Sequence, residues 1–326
     1  METLTEQIFH LSSSADFEAA ALRVFAYQYA YNSVYHAYCQ HIGVQAKSVR
    51  TISDIPFLPI SLFRTHDVVT GDFLPELTFR SSGTTGMERS RHLVKDAGLY
   101  RKSLTESFRY FYGEPSDYVF LALLPNYVEQ RNSSLVYMMD VLMHESGAPE
   151  NGYYLYNHED MYKMLLQLRD NHKKTILWGV TFALLDFVEH YTLDFPQLIV
   201  FETGGMKGRR KEMVKEELYR ILQKAFGVTD IHSEYGMCEL LSQAYSKGGN
   251  VFATPPWMRL RLRSEKDPFD GSDTTDTGAI NVVDLANVHS CSFIATEDLG
   301  RRSRDGIEVL GRLDHSQIRG CSLMVL

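Results

Sequence analysis

The stretch of the sequence best suited to chemistry is a run of six small residues, Ser81-Ser82-Gly83-Thr84-Thr85-Gly86. Glycines let a backbone approach an anion closely and turn its N–H groups toward it, and hydroxyl groups add further donors. The run directly follows a predicted apolar strand over Leu77–Arg80. It is not a Walker loop, because it contains no lysine and does not match the spacing G-x-x-x-x-G-K-[ST]. We interpret it as a phosphate-binding loop in preference to a tight polar turn.

A pair of glycines, Gly204 and Gly205, follows a second predicted strand, over residues 198–202. In an open α/β sheet, ligands bind at the carboxyl ends of the strands. A Gly-Gly pair by itself is more often a simple turn, so its meaning depends on what else lies at the same edge of the sheet.

Tyr235, Gly236 and Glu239 come after a third predicted strand, over residues 229–232. An aromatic ring offers a face for a nucleobase, a glycine permits close approach, and a carboxylate can hold Mg²⁺. Without the other motifs, Tyr235 would be interpreted as a packed aromatic residue.

Two charged residues near the end of the sequence, Asp298 and Arg312, complete the set of candidates. A carboxylate at a strand end can accept hydrogen bonds from both vicinal hydroxyls of a ribose. An arginine is a natural partner for a phosphate or carboxylate. Each of the two segments is a common turn when taken alone, so the order of all five motifs carries the signal.

Strands and helices alternate between residue 77 and about residue 232, and these elements would position the motifs. Predicted strands cover 77–80, 118–124, 152–156, 175–178, 198–202 and 229–232, and predicted helices cover 96–112, 134–145, 159–171, 182–191 and 208–226. This alternation predicts βαβ units and a largely parallel sheet. After about residue 250 the helices stop, and short strands predict a β-rich region.

Three further expectations concern packing. Asp16 is predicted to cap one helix that runs to Gly43 and packs on two sides through its many aromatic residues. Cys39 and Cys291 lie in apolar patterns and are predicted to be core residues. The alternating arginines of strand 258–263 share one face, which we interpret as solvated rather than as a docking patch; they are Arg259, Arg261 and Arg263.

The 326 residues carry a formal net charge of 33 − 41 = −8, which argues against binding to nucleic acid or an anionic membrane surface. With 44% apolar and 23% charged residues, the composition is that of an ordinary globular protein of about two domains. Four cysteines without a C-x-x-C pair predict neither a disulfide framework nor a zinc site. The sequence shows no signal peptide and no membrane span, which predicts a cytoplasmic protein.

The five motifs occur in the order S-S-G-T-T-G, G-G, Y-G-x-x-E, T-x-D-L-G and G-R-x-D. In this order they resemble the adenylate-forming superfamily of acyl- and aryl-CoA ligases, luciferases and peptide-synthetase adenylation domains. Within that superfamily, the chain is most similar to the LuxE-like acyl-protein synthetases, on the further segments 55–63, 131–135 and 319–321. The resemblance covers roughly residues 50–326.

The resemblance implies an α/β fold like the N-terminal domain of adenylate-forming enzymes, with stacked, mainly parallel sheets, helices and a small β-rich subdomain at about 250–310. It divides the chain into a helical segment over 1–50, packed on the main body, and an adenylate-forming domain over 51–326. The lid domain that carries an adenylation lysine elsewhere in the superfamily would be absent.

The implied activity is the ATP- and Mg²⁺-dependent conversion of a carboxylic acid, by family inference a fatty acid, to an acyl-adenylate with loss of pyrophosphate. Glu239 would bind Mg²⁺, and Arg312 would steady the ribose or a phosphate. The residues implied to hold the nucleotide are Ser81, Ser82, Gly83, Thr84, Thr85 and Gly86 at the phosphates, Gly204 and Gly205 at adenine, Tyr235 stacked on the base beside Gly236, and Asp298 at the ribose.

Cys321 matches the cysteine that accepts the acyl group as a thioester in the acyl-protein synthetases. The neighbouring Arg319 would favour the thiolate, which is the reactive form. The alternative is a small apolar residue packed in the core. Two motif positions depart from the superfamily pattern: Cys238 replaces the usual threonine, and residues 87–90 lack the usual x-x-P-K, whose positive charge Arg89 or Arg91 could replace.

Two other functions remain open at this stage. A ligase could pass the acyl group to a pantetheine thiol, on coenzyme A or an acyl carrier protein. A non-catalytic protein could bind the nucleotide or acyl-adenylate and act as a scaffold. The resemblance suggests an acyl reductase as the partner, and the segment Trp178-Gly179-Val180-Thr181 is expected in the wall of the acid pocket.

Overall fold

The computed structural model describes residues 2–81, 89–125, 132–204, 213–265, 267 and 269–313. The α-helices in this part of the chain are α1 (Glu2–Gln7), α2 (Ser14–Tyr31), α3 (Ser33–His41), α4 (Leu62–Thr65), α5 (Ala97–Tyr112), α6 (Ser134–Ser146), α7 (His158–Asp170), α8 (Thr181–Val188) and α9 (Lys215–Phe226). Across these described segments, no helix has both the length and the apolar character needed to cross a bilayer. The five helices predicted between residues 96 and 226 are confirmed, except that residues 208–212 lie outside the described segments.

The strands of the described residues are β1 (Leu58–Pro59), β2 (Leu77–Arg80), β3 (Arg91–Val94), β4 (Val119–Leu123), β5 (Gly152–Tyr154), β6 (Thr175–Val180), β7 (Ile199–Thr203), β8 (Ile231–Tyr235), β9 (Ala244–Ser246), β10 (Val251–Phe252), β11 (Met258–Arg263), β12 (Thr277–Asp284), β13 (Phe293–Ser303) and β14 (Gly306–Arg312). Every predicted strand is present. β1, β3 and β9 were not predicted, because two to four residues carry too little periodicity to be recognised.

A six-stranded sheet forms the centre of the molecule, in the order β5-β4-β6-β7-β8-β9. Its first five strands are parallel, and β9 pairs with β8 in the antiparallel sense. β4 and β6 are buried along their full lengths, as expected for central strands covered on both faces by helices. α6 packs on β4, and α8 and α9 pack on β6–β8. The largely parallel sheet predicted from the βαβ pattern is confirmed.

The region after residue 250 forms a second sheet, in the order β10-β14-β13-β12-β11. Outside this order, β1 pairs with β13 in the parallel sense. The pairs from β10 to β14 are antiparallel, and this sheet is the β-rich region predicted after about residue 250; among the described residues, the central sheet is the mainly parallel one. Asp298 differs from expectation. It lies inside the long strand β13, directly opposite Arg312 of β14, rather than at a strand end. The proposed division at residue 50 stays a prediction.

Residues 14–41 fold as two helices, α2 and α3, so the single helix predicted from Asp16 to Gly43 is wrong. The break falls at Asn32, whose side chain accepts from the backbone N–H of Tyr35 and donates to the carbonyl of Ser290. Asparagine competes in this way for hydrogen bonds that a continuous helix would use. The predicted cap is also displaced, since the Ser13 hydroxyl caps α2 and Asp16 lies in its first turn.

The three arginines of β11 are not a solvated face, contrary to expectation. Arg261 and Arg263 are each only 8% exposed. Arg263 donates to the carbonyls of Ile280 and Thr296, and the Arg259 guanidinium lies 3.9 Å from the centre of the Phe17 ring. The face is covered by the N-terminal helices, which strand alternation alone cannot reveal. Cys39 and Cys291 are fully buried, which confirms them as core residues.

Candidate functional site

The run of small residues connects the two strands of an antiparallel hairpin. β2 and β3 pair from Leu77 opposite Val94 to Arg80 opposite Arg91. Beyond them, Ser81 N–H donates to the Ser90 carbonyl, and Ser90 N–H donates to the Ser81 hydroxyl, at 3.1 Å each. These bonds close the base of the loop. Its other predicted phosphate ligands, Ser82, Gly83, Thr84, Thr85 and Gly86, lie outside the described residues.

His92 joins this hairpin to the Y-G-M-C-E segment. It lies in β3 and is 1% exposed, and its Nδ1 donates to the Cys238 carbonyl at 2.7 Å. Its Nε2 lies 3.0 Å from Oδ1 of Asn287. Burial lowers the pKa of His92 to about 4, while the contacts with the Cys238 carbonyl and Asn287 act to raise it. The β2–β3 hairpin and the segment that carries Glu239 are therefore held together through one buried side chain.

Asn287 and Asp284 hold the same segment from the other side. The Asn287 amide donates to the carbonyls of Glu239 and Cys291, at 2.8 and 2.9 Å. The fully buried Asp284 carboxylate accepts from the backbone N–H groups of Leu241 and Ser242. We refer to His92, Asp284 and Asn287 as the polar clamp. It fixes the backbone on both sides of Glu239.

Three predicted site residues meet on the antiparallel sheet beside the end of β8. The Tyr235 hydroxyl donates to Oδ2 of Asp298 at 2.8 Å, and Arg312 Nε lies 3.8 Å from Oδ1 of the same carboxylate. Burial raises the pKa of Asp298, while the Tyr235 hydroxyl and the Arg312 charge act in the opposite direction. The carboxylate is thus oriented by a neutral donor and a largely exposed cation, as a ligand for hydroxyl groups requires.

The second and third motifs lie side by side in the central sheet, since Glu202 of β7 pairs with Ser233 of β8. Gly204 follows β7 with φ +83°, a conformation that side chains other than glycine rarely adopt. Gly236 follows β8, and a Cβ atom there would lie 2.1 Å from Oε1 of Glu234. Both glycines are exposed at the carboxyl edge of the sheet, which leaves that edge open to a ligand. Gly205 lies outside the described residues.

Glu239 is the residue predicted to bind Mg²⁺. It is 5% exposed, and no group of three metal-binding side chains occurs among the residues that the structure describes. Mg²⁺ bound to a nucleotide commonly takes one or two protein carboxylates and completes its shell with phosphates and waters. A single carboxylate in the segment bound to the β2–β3 hairpin therefore fits this ion, and its role stays a prediction.

The cysteines within the described segments do not provide a reactive thiol. Cys39, Cys238 and Cys291 are buried, and burial raises the pKa of each. The predicted acyl acceptor, Cys321, lies outside the described residues, so its role stays a prediction.

Sequence reasoning missed the polar clamp and a charged pair at the end of β7. Glu202 is 1% exposed and binds both the Lys215 ammonium and the Thr181 hydroxyl. Burial acts to lower the pKa of Lys215, but Glu202 and Tyr219 together outweigh it, and the net direction is upward. The available sequence signal for Glu202 was the presence of an acidic residue within an otherwise apolar predicted strand. His92 gave none, because its partners Cys238 and Asn287 lie more than a hundred residues away. Asn287 gave none either, because its contact with Glu239 spans 48 residues.

Comparison with known proteins places this geometry in a family. The model for the LuxE acyl-protein synthetases matches residues 9–326. A sequence comparison with curated proteins gave no match. Among solved structures, 2-hydroxyisobutyryl-CoA ligase with 2-HIB-AMP and CoA is similar with a TM-score of 0.64 at 15% identity, over 94% of this chain and 70% of that chain. McyG A-PCP with phenylalanyl-adenylate is similar with a TM-score of 0.51 at 14% identity, over 72% of this chain and 46% of that chain.

The chain spans 39% of the coronafacic acid ligase of Pectobacterium brasiliense, to which it is 17% identical with a TM-score of 0.42. At such low identities, the likeness to the two better-matched structures shows the fold alone. The family match, in contrast, extends over nearly the whole sequence. We conclude that the chain belongs to the LuxE acyl-protein synthetase family and has the fold of the adenylate-forming ligases.

Proposed function

We propose that this protein activates a carboxylic acid with ATP and then transfers the acyl group to a thiol. In the first step, a carboxylate oxygen of the acid attacks the α-phosphorus of ATP. The bond from the α-phosphorus to the oxygen that bridges to the β-phosphorus breaks, so acyl-adenylate forms and pyrophosphate leaves. In the second step, the Cys321 thiolate attacks the acyl carbon, AMP leaves, and a thioester remains. An acceptor or an acyl reductase then receives the acyl group. By family inference the acid is a fatty acid.

The observation that supports this proposal is that described residues next to or within several of the motifs contact one another. His92 connects the hairpin of the phosphate loop to the segment of Glu239, and Tyr235 connects the end of β8 to Asp298. The acid, the triphosphate and the five-coordinate phosphorus are all anionic. Positive and N–H groups must therefore offset their charge in a site with little water.

Each residue has a proposed task in the first step. Asp298 accepts from the ribose hydroxyls, with Tyr235 holding its orientation. Arg312 offsets negative charge on the nucleotide, and Glu239 binds Mg²⁺. When bound, that ion neutralises phosphate charge and orients the leaving group.

The decisive experiment is intact-mass measurement of the protein after incubation with ATP, Mg²⁺ and pooled acids, together with assays of pyrophosphate and acyl-adenylate. We expect pyrophosphate release and a mass increase equal to one acyl group. ATP binding without turnover would instead indicate the non-catalytic scaffold.

A Cys321→Ser variant tests the second step. Because the first step does not use this thiol, we expect acyl-adenylate to form at the normal rate while the hydroxylamine-sensitive label on the protein is lost. A Cys39→Ser variant is the matched control. Unchanged labelling of Cys321→Ser would exclude Cys321, and normal thioester formation on coenzyme A or a carrier protein would favour the pantetheine ligase.

A further inference from the structure

Three buried polar atoms on β6, on β9 and directly before β9 have no hydrogen-bond partner in the described part of the chain. They are Nε1 of Trp178, the hydroxyl of Tyr245 and Oε1 of Gln243. Their side chains are 0%, 1% and 4% exposed. More than nine in ten buried polar groups are paired in native proteins, and each unpaired group costs about 1–3 kcal/mol. Such a concentration of unpaired atoms therefore needs a physical reason.

Contacts link the three side chains in a row, in which Tyr245 lies between Trp178 and Glu234, and Glu234 lies beside Gln243. The rings of Trp178 and Tyr245 meet edge to face with their centres 6.5 Å apart. Tyr245 lies directly opposite Glu234 in the pairing of β8 with β9. A Cβ atom on Gly236 would lie 2.1 Å from Oε1 of Glu234 and 3.6 Å from Cγ of Gln243, so both side chains flank the same glycine. We call Trp178, Glu234, Gln243 and Tyr245 the polar recess.

The polar recess adjoins the candidate site without being part of the nucleotide cluster. Glu234 immediately precedes Tyr235, whose hydroxyl binds Asp298. Successive strand residues point to opposite faces of a sheet, so the recess and the Tyr235–Asp298 pair lie on either side of the end of β8. The exposed backbone of Gly236 lies between them. A substrate that passes along Gly236 can therefore reach both.

The donors and acceptors of the recess restrict what it can receive. Trp178 Nε1 only donates, Gln243 Oε1 only accepts, and the Tyr245 hydroxyl does both. Burial raises the pKa of Glu234 to about 7, while a hydrogen bond with Thr203 acts to lower it, so this carboxyl can be neutral or ionised near neutral pH.

Most substituents fail to match this set. An alkyl chain would leave all three atoms unpaired. An ammonium group cannot accept from Trp178, and a carboxylate cannot donate to Gln243. A hydroxyl group can accept from the indole N–H and donate to an oxygen at the same time.

We propose that the polar recess binds a hydroxyl group on the acid substrate, so that the protein activates a hydroxylated carboxylic acid in preference to its unsubstituted counterpart. This inference rests on the proposed function. It gives a narrower substrate class than the simple fatty acid suggested by the family.

Acid-dependent exchange between pyrophosphate and ATP tests the preference. The probes are matched pairs: hexanoic and dodecanoic acids with their hydroxy derivatives at each carbon, and phenylpropanoic acid with its ring-hydroxylated forms. We expect kcat/KM to be about tenfold or more higher for at least one hydroxylated member, since a site built for a hydroxyl rejects the analogue that lacks it. Equal values in every pair would overturn the inference and leave the proposed function standing. If none of the tested acids supported exchange, the result would contradict both the inference and the proposed function.

Tyr245→Phe removes only the unpaired hydroxyl. We expect the ratio of kcat/KM between the preferred hydroxylated acid and its partner to fall toward one. The melting temperature of the ligand-free protein should stay the same or rise, because a buried unpaired group is lost. A fall in melting temperature with an unchanged ratio would show that the hydroxyl holds an internal water, and would overturn the inference.

Tyr112→Phe is the matched control, because the Tyr112 hydroxyl is already paired with Nδ1 of His232 at 2.9 Å. We expect this change to lower stability and to leave the preference between acids unchanged. Trp178→Phe supplies a second variant, in which an aromatic ring is kept and the indole N–H is removed. Loss of the preference in Tyr112→Phe as well would show that the recess has no special role.

Discussion

Asp298 shows how one carboxylate can be kept ready for a ligand. The Tyr235 hydroxyl occupies one oxygen at 2.8 Å, and Arg312 lies 3.8 Å from the other. The neutral variant Asp298→Asn keeps the shape but loses the charge-assisted acceptance of ribose hydroxyls. Such hydrogen bonds contribute about 1.5–3 kcal/mol, so we expect the KM for ATP to rise by about tenfold or more.

The readout for Asp298→Asn is the KM for ATP in the exchange assay, with the melting temperature as a check on folding. Asp305→Asn provides the control, since Asp305 lies in the exposed turn between β13 and β14. An unchanged KM in Asp298→Asn would remove Asp298 from nucleotide binding.

Glu234 makes a residue-scale prediction about pH. Its pKa rises from an ordinary 4.5 to about 7 because the carboxyl is buried. Below about pH 4.5 both the folded and the unfolded states hold the proton, and the free energy of unfolding does not depend on this group. As the pH rises through 7, the folded state must ionise a buried carboxyl. We therefore expect the free energy of unfolding to fall by on the order of 2 kcal/mol between pH 4.5 and 7, a figure that allows for the partial exposure of this residue.

Urea unfolding at pH 5 and pH 7.5 checks this expectation in the wild type and in Glu234→Gln, whose stability should not fall over this range. Some histidines act in the opposite direction, because burial lowers their pKa to about 4 and their contribution to stability rises with pH; they are His92, His232 and His289. Both proteins contain these histidines, so their contribution cancels when the stability of Glu234→Gln is subtracted from that of the wild type. Parallel pH curves would contradict the prediction.

The polar clamp acts at the scale of elements, because it joins β3, the segment after β8 and the turn after β12. Asn287→Ala would leave the buried carbonyls of Glu239 and Cys291 without partners. We expect a loss of about 2–4 kcal/mol in the free energy of unfolding and faster amide exchange around Glu239. Asn171→Ala, at an exposed helix end, should cost far less.

A double-mutant cycle between His92→Ala and Asn287→Ala tests whether the clamp acts as a unit. Residues that share one hydrogen-bond network typically couple by about 0.5–3 kcal/mol. Additive effects on both the stability and the adenylation rate would show that the two side chains act independently of each other.

At the scale of the whole molecule, the N-terminal helices are tied to the antiparallel sheet through Gln28. This fully buried side chain donates to the carbonyls of Asn287 and Val288 and accepts from the Ser292 N–H, across about 260 residues of sequence. Gln28→Ala should therefore lower the free energy of unfolding by about 2–4 kcal/mol. Because Asn287 belongs to the polar clamp, the adenylation rate should fall too.

Gln40→Ala is the control for this prediction, since its side chain lies on the exposed face of α3. Guanidinium unfolding and the exchange assay measure the two effects. If Gln28→Ala lowered the stability and left the rate unchanged, the N-terminal helices would have no part in positioning the clamp.

The order of five motifs, the alternation of strands and helices and the family membership could all be read from the sequence. These features depend on residue type and on local spacing, which a linear chain displays directly. For the same reason, the parallel strands of the central sheet, the run of small residues after β2 and the acidic candidates Asp298 and Glu239 could be recognised from local pattern alone.

The tertiary structure alone decided which side chains meet. Tyr235 and Asp298 are 63 residues apart, and His92 and Cys238 are 146 residues apart. Packing of the two large sheets and the β2–β3 hairpin brings these partners together, and no local pattern encodes such distances. The N-terminal helices cover the arginines of β11, and in the described part of the chain Trp178 Nε1, Gln243 Oε1 and the Tyr245 hydroxyl have no hydrogen-bond partner. Whether a polar group is satisfied depends on every element around it, so only the assembled fold could decide it.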